Sequence, residues 1–199
     1  MTMPLDADSD LTDEALLAQY ARGDRAAARV LTLRMTPRVL SLAQRMLRDA
    51  AEAEDVAQEA MLRLWKIAPE WRDGEAKVST WLYRVASNLC TDRLRRRRGM
   101  GLDDAFGEGV EPPDAAPGID TRLQQADRAA ALQAALEELP ERQRQAVVLR
   151  HLEGLSNPQI AAVMEIGVEA VESLTARGKR ALAARLIGRR AELGLSDDQ

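Results

Sequence analysis

The chain has 199 residues, 46% of them hydrophobic and 30% charged, which suits one large or two small folded domains. One cysteine, Cys90, excludes an internal disulfide, and with one histidine, His151, it also excludes a zinc site of the usual Cys/His kind, so no metal or other cofactor is expected. The formal net charge of −4 argues against tight binding to free nucleic acid, which depends on neutralising phosphates.

The charge is unevenly spread. Residues 1–98 carry 17 basic and 15 acidic groups, residues 99–121 carry 6 acidic and no basic ones, and residues 122–199 carry 11 of each. Aromatic residues make up only 3%, while Ala, Leu, Arg and Glu dominate, which favours helices over strands. The expected fold is all-α: two small helical domains, 11–98 and 122–187, joined by a flexible acidic linker, 99–121. Residues 1–10 are expected to be disordered and 188–199 to form a tail. The start, MTMPLDADSD, is acidic and polar rather than basic then apolar, and no run of about eighteen apolar residues occurs. A cytoplasmic protein without direct membrane insertion is expected.

In chain order, Thr12 is placed to cap a first helix, with Leu11 and Leu16 as its hydrophobic staple and Gly23 at its end. Asp24 caps the second, in which Pro37 after Thr36 predicts a restart or a kink. Asp49 to Ile67 is amphipathic. Ala53, Val56, Ala57, Ala60, Leu64 and Ile67 face inward, while Asp55, Gln58, Glu59 and Leu62 fall largely outward, an apolar contact among carboxylates that suits a basic protein partner. Residues 68–78 read as a loop in which Trp71 is either a lid on the core or a base-stacking group.

Ser79 to Arg98 predicts a long helix capped by Ser79 or Thr80. Trp81, Leu82, Val85, Ala86, Leu89, Cys90 and Leu94 form its buried stripe; Arg84, Asn88 and Asp92 share an outward line, and Arg95–Arg98 make a cationic end suited to a phosphate backbone. Lys77 and Arg84 are placed to hold backbone, and Trp81 to stack.

Past the linker, Asp120 is placed to cap a helix to about Glu138. Pro140 starts another, which ends at Leu152 before Gly154. Ser156 and Gln159 have capping-box spacing, and Glu165-Ile166-Gly167 makes a tight turn. The helix from Val168 is anchored by Val171, Leu174, Leu182 and Leu186 and presents Glu172, Ser173, Ala176, Arg177, Lys179 and Arg180. Gly178 lowers helix propensity and is expected to fray the end. This is the pattern of a helix-turn-helix that offers its second helix to a major groove. A repressor or activator acting without polymerase, and a helical module that binds only protein, are alternatives at this point. No nucleophile, base and orienter set and no phosphate loop suggests an enzyme.

Together AEDVAQEAMLRLW, STWLYRVASNLCTDRLRRR, LPERQRQAVVLRHLEGLSNPQIAAVM and VEAVESLTARGKRAL resemble an extracytoplasmic-function sigma factor, a bacterial RNA polymerase initiation subunit. The likeness runs from about Thr12 to Leu186. It implies that the first domain binds core RNA polymerase through Asp55, Gln58, Glu59 and Leu62. It implies capture of single-stranded promoter DNA at the minus-ten element by Lys77, Trp81, Arg84, Asn88, Asp92, Arg95 and Arg96. The minus-thirty-five duplex would be read by Glu172, Ser173, Ala176, Arg177, Lys179 and Arg180. Members of the family are often held inactive by an anti-sigma factor, frequently membrane-bound, and the same is expected here. The chain departs from the family pattern at Glu165, which replaces the turn glycine, and Asp92 is as well placed to orient Arg95 or Arg96 as to touch a base.

Overall fold

A computed structural model describes residues 11–72, 74, 76–100 and 119–188. The expectations for 1–10, for most of the linker and for the tail lie outside these residues. The described residues are helical, with no strand among them: α1 (Asp13–Ala21), α2 (Arg25–Met46), α3 (Ala50–Ile67), α4 (Val78–Gly99), α5 (Ile119–Glu137), α6 (Glu141–Val147), α7 (Asn157–Met164) and α8 (Val168–Gly188).

Three of the first four helices begin where a short polar side chain serves their unpaired N–H groups. Thr12 accepts from the Ala15 amide at 3.2 Å, Asp24 from Ala26 at 2.8 Å, and Asp49 from Glu52 at 3.0 Å. The helix α4 differs. It begins at Val78, one residue before the expected caps, and the Val78 amide donates to the Glu14 carboxylate of α1 at 3.0 Å. A carboxylate at a helix N-terminus also meets the positive end of the macrodipole, so α1 and α4 are joined by the bond that starts α4.

Pro37 neither restarts nor ends α2, which runs unbroken past it. The proline leaves the Leu33 carbonyl without an intrahelical donor. Leu33 lies on the exposed side, where water can serve that carbonyl. In the C-terminal half α5 starts at Ile119, slightly before the expected Asp120 cap. The helix after Pro140 changes at Val148–Leu152 into a π-turn and ends before Gly154, whose φ of 73° suits glycine.

The two halves pack against each other. Buried residues from both, among them Leu31, Leu42, Leu64 and Leu82 with Leu136, Leu149 and Ile160, belong to one continuous apolar cluster. The two-body arrangement read from the sequence therefore closes into a joined core, with α4 lying against α7 and α2 against α5 and α6.

Cys90 is fully buried in this core, and burial, opposed only by the nearby Arg93, pushes its thiol from 9.0 up to about 12. The folded thiol therefore stays protonated and unreactive. Negligible labelling by a thiol reagent at neutral pH, rising to full labelling in denaturant, is the expected result; rapid labelling of folded protein would contradict it. The raised value contributes stability below the unfolded value near 9 that is lost as pH climbs toward about 12.

Candidate nucleic-acid interface

The helix α4 divides its residues among three directions. Leu82, Ala86 and Cys90 enter the core, with Trp81, Val85, Leu89 and Leu94 half-buried against it. Asn88 and Asp92 are exposed on the expected outward line, as are Lys77 before the helix and Arg95 and Arg96 near its end. Asp92 lies 3.8 Å from Arg95, the i, i+3 pairing suited to orienting a guanidinium. At this exposure such a pair contributes little to stability.

The cationic end is narrower than the run of arginines suggests. Arg97 is only 8% exposed and turns back to α3, 3.5 Å from Asp49 and 3.1 Å from Glu52. Arg98 pairs with Glu141 of α6. The 100° step between successive helical residues sends neighbouring arginines to different partners, leaving Arg95 and Arg96 directed at solvent. Trp71 meets Trp81 edge-to-face with centroids 6.0 Å apart. Trp71 is thus a lid on the start of α4, and its contact holds Trp81 in a fixed attitude beside Lys77.

The helices α7 and α8 are joined by a tight turn, residues 165–167. The Ser156 amide donates to the Gln159 side chain at 2.9 Å, and Glu165 ends α7 in the left-handed region at φ 53°. Val171 is fully buried and Leu174 partly so, which turns Glu172, Ala176, Arg177, Lys179 and Arg180 outward, with Ser173 half-exposed. Arg177 donates to the Ser173 hydroxyl at 2.6 Å and to its carbonyl at 3.3 Å, so its guanidinium is held along the helix before any ligand arrives. Glu172 accepts from Asn157 at 3.3 Å, tying the two helices together across the turn.

Gly178 does not fray α8, which continues to Gly188. A Cβ at Gly178 would stand 2.5 Å from Val147 Cγ2 and 3.1 Å from the Gln143 carbonyl. The glycine is what lets α8 lie directly on α6.

On α3, Asp55, Gln58 and Leu62 are exposed, and Glu59 pairs with Arg63 at 2.8 Å. Leu62 is 62% exposed, an apolar side chain presented between acidic groups. Asp55 stands 3.9 Å from Arg93 of α4, so this acidic face and the basic helix are electrostatic neighbours.

Sequence reasoning missed Tyr83. It is 4% exposed, and its hydroxyl donates to Glu153 at 2.7 Å; the other oxygen of that carboxylate accepts from Ser41 at 2.9 Å. Burial, then the bond and charge of Glu153, push the phenol well above its ordinary range. No local pattern points to it, because Glu153 is 70 residues from Tyr83.

Two family models match the chain: sigma-70 region 2 over residues 31–99 and sigma-70 region 4 over residues 129–182. The chain is 35% identical to the RNA polymerase sigma-H factor of Pseudomonas aeruginosa, over 85% of this chain and 91% of that one. It is 37% identical to the extracytoplasmic-function (ECF) RNA polymerase sigma factor SigM of Mycobacterium tuberculosis, over 89% of this chain and 85% of the relative. The chain belongs to the extracytoplasmic-function sigma factors. Among solved structures, CnrH in complex with the cytosolic domain of CnrY is similar over 88% of this chain and 97% of that chain, with a TM-score of 0.66 and 26% identity. The sigma factor RpoE of Bartonella quintana, solved with the anti-sigma factor NepR, shares the fold at 21% identity and a TM-score of 0.63, over 78% of this chain and 93% of that one.

As a sigma factor the protein is a transcription initiation factor, an alternative specificity subunit of RNA polymerase rather than a known kind of enzyme. Sigma domains of these two kinds bind core polymerase and promoter DNA. The region 2 match ends at Gly99, the last residue of α4, and the region 4 match runs from the second half of α5 through most of α8. The described residues hold no helix long and apolar enough to cross a membrane and no cluster of three or more metal-ligating side chains.

Proposed function

We propose that residues 11–98 and 122–187 are the two promoter-reading domains of this sigma factor, acting on DNA in the cytoplasm once docked on core RNA polymerase. Asp55, Gln58, Glu59 and Leu62 form the polymerase-binding face. Lys77, Trp81, Arg84, Asn88, Asp92, Arg95 and Arg96 capture the opened single strand at the minus-ten element. Glu172, Ser173, Ala176, Arg177, Lys179 and Arg180 read the minus-thirty-five duplex. The observation that carries this reading is that two separate exposed polar faces, on α4 and on α8, stand within the two matched regions.

The chemistry differs between the two. Extruding a base costs a few kcal/mol, recovered when a polar side chain such as Asn88 bonds its edge, so discrimination comes with melting. On α8 a pre-aligned Arg177 is suited to a guanine edge, and each such contact is worth about 1–3 kcal/mol of discrimination. An acidic protein gains little from phosphates unaided, so polymerase must supply the remaining positive surface.

Control by an anti-sigma factor is part of the proposal: CnrH is solved with the cytosolic domain of a second protein, CnrY, and RpoE, of the same fold, with the anti-sigma factor NepR. Run-off transcription with core polymerase over a promoter library tests the whole reading. Arg177→Ala should lower promoter-specific initiation about tenfold, a loss of ~1.4 kcal/mol, with core binding retained. Asn88→Ala should impair opening while leaving duplex recognition intact. Tight, salt-sensitive duplex binding without polymerase would instead indicate a repressor.

A further inference from the structure

The start of α1, the middle of α2 and the start of α4 enclose a polar cavity of about 450 Å³, whose lining includes Asp13, Glu14, Arg34, Arg38, Lys77 and Ser79. Its two carboxylates are already engaged. Asp13 accepts from Arg34 at 3.2 Å, Arg34 also donates to the Leu11 carbonyl at 2.7 Å, and Glu14 accepts from the Val78 amide at 3.0 Å. Arg38 and Lys77 are exposed, and neither they nor the Ser79 hydroxyl form a hydrogen bond or ion pair with any described residue. Two cations and a hydroxyl therefore face one space with no anion left to answer them.

We propose that this cavity is a phosphate seat, in which Arg38, Lys77 and Ser79 hold one backbone phosphate of the opened DNA strand where it passes the start of α4. The inference rests on the promoter reading above and adds to it Arg38, a residue of α2. Continuity with the strand-capturing face points to the source of the phosphate. Lys77 is the N-cap of α4, seven residues before Arg84 and eleven before Asn88, which is about two and three helical turns, so the three share one line. Asn88 lies about 16 Å along that line, and a strand bonded there by a base edge reaches the cavity within a few nucleotides.

Phosphate suits the seat for chemical reasons. A guanidinium offers a planar fork of donors, an ammonium a compact point charge and serine a short hydroxyl, three groups that commonly bond DNA phosphates. The cavity volume lies in the range of roughly 300–1,000 Å³ usual for small-ligand sites, ample for one phosphate. Such a contact carries no sequence information, so it acts by fixing the register of the strand against Asn88. Arg38 is thus a positioning residue. Its charge is also felt at the Tyr83 hydroxyl, so the test needs a readout that a purely structural role would leave unmoved.

The test uses holoenzyme assembled from the full chain and core polymerase, with fork-junction DNA from the promoter library: a duplex carrying a fluorescent single-stranded extension. Affinity is read across salt concentration. Each phosphate contact to a single strand steepens log K against log salt by about 0.7, so at ~0.1 M salt one lost contact weakens binding about fivefold. Arg38→Gln should show both changes, and Arg38→Lys should restore most of the slope. Arg29→Gln removes the same charge from an exposed position nine residues earlier, on the opposite side of α2, and should stay close to wild type.

Replacing the strand's phosphates one at a time with neutral methylphosphonate locates the seat. One linkage should cost the wild type about fivefold but Arg38→Gln less than about twofold, and Lys77→Gln should lose sensitivity to that same linkage. An unchanged salt slope in Arg38→Gln, an equal loss in Arg29→Gln, or the absence of any such linkage would overturn the proposal. Pyrophosphate titrated against the full chain tests a free source of phosphate. Binding of pyrophosphate that depends on Arg38, with no linkage affected, would rule out the strand as the ligand. A failure of the promoter reading would register separately, as normal promoter opening by Asn88→Ala holoenzyme.

Discussion

Gly178→Val should destabilise the C-terminal half by about 2–4 kcal/mol and abolish duplex reading by α8. The cause is contact distance. The first carbon of any side chain at 178 would lie 2.5 Å from Val147 Cγ2, and Val147 is itself buried. Valine in a helix holds one χ1 rotamer, so that methyl has little room to turn away. The Gln143 carbonyl at 3.1 Å blocks backward movement with main chain.

Gly178→Ala is the informative companion. It gains roughly 1 kcal/mol in helix propensity but pays an overlap cost of ~1–3 kcal/mol, so a smaller net loss is expected. Urea unfolding measures both, and the midpoint should fall in the order alanine, then valine. Adding Val147→Ala to Gly178→Ala should recover part of the overlap loss, because the two positions touch and are not additive. A Gly178→Ala protein as stable as wild type would show that α6 and α8 are not held at this distance.

The expectation that Gly178 frays α8 came from treating the residue by propensity alone. Propensity is a property of one position, whereas close approach belongs to a pair, and Val147 is 31 residues away in sequence. The same division runs through the fold. The caps at Thr12 and Asp24 were legible because donor and acceptor are at most three residues apart. The start of α4 was misplaced because its capping oxygen belongs to Glu14, 64 residues earlier.

Exposure of the expected site residues followed from helical period, since a stripe that is buried at Leu82, Ala86 and Cys90 must turn Asn88 and Asp92 outward. Period could not assign partners. The arginine run looked uniform, yet Arg97 is folded onto Asp49 and Glu52 while Arg95 faces solvent. Nor could period find the packing between the halves, because that contact uses Tyr83, Ser41 and Glu153, single polar residues that form no repeating pattern.

Arg144→Met should cost about 2–3 kcal/mol, nearly all of it through carbonyl groups left without donors. Arg144 is 8% exposed and donates to the Met46 carbonyl at 2.8 Å and the Glu137 carbonyl at 2.8 Å, with Leu139 at 3.5 Å. Met46 and Glu137 are the last residues of α2 and α5, so one guanidinium serves the unpaired, partially negative ends of two helices. Methionine fills similar space and relieves the cost of burying a charge, a cost visible in the way burial lowers the arginine's affinity for its proton. What it cannot replace is the donors. Arg144→Lys separates charge from geometry: it keeps the cation, but a single ammonium cannot span both carbonyls as a planar fork does. Lysine should recover less than half of the loss in thermal or urea unfolding. A lysine variant equal to wild type would mean that charge at the helix ends suffices. Since Met46 lies in the first half and Glu137 in the second, removing the fork should also loosen the coupling between them, so that the C-terminal half melts first in place of one shared transition.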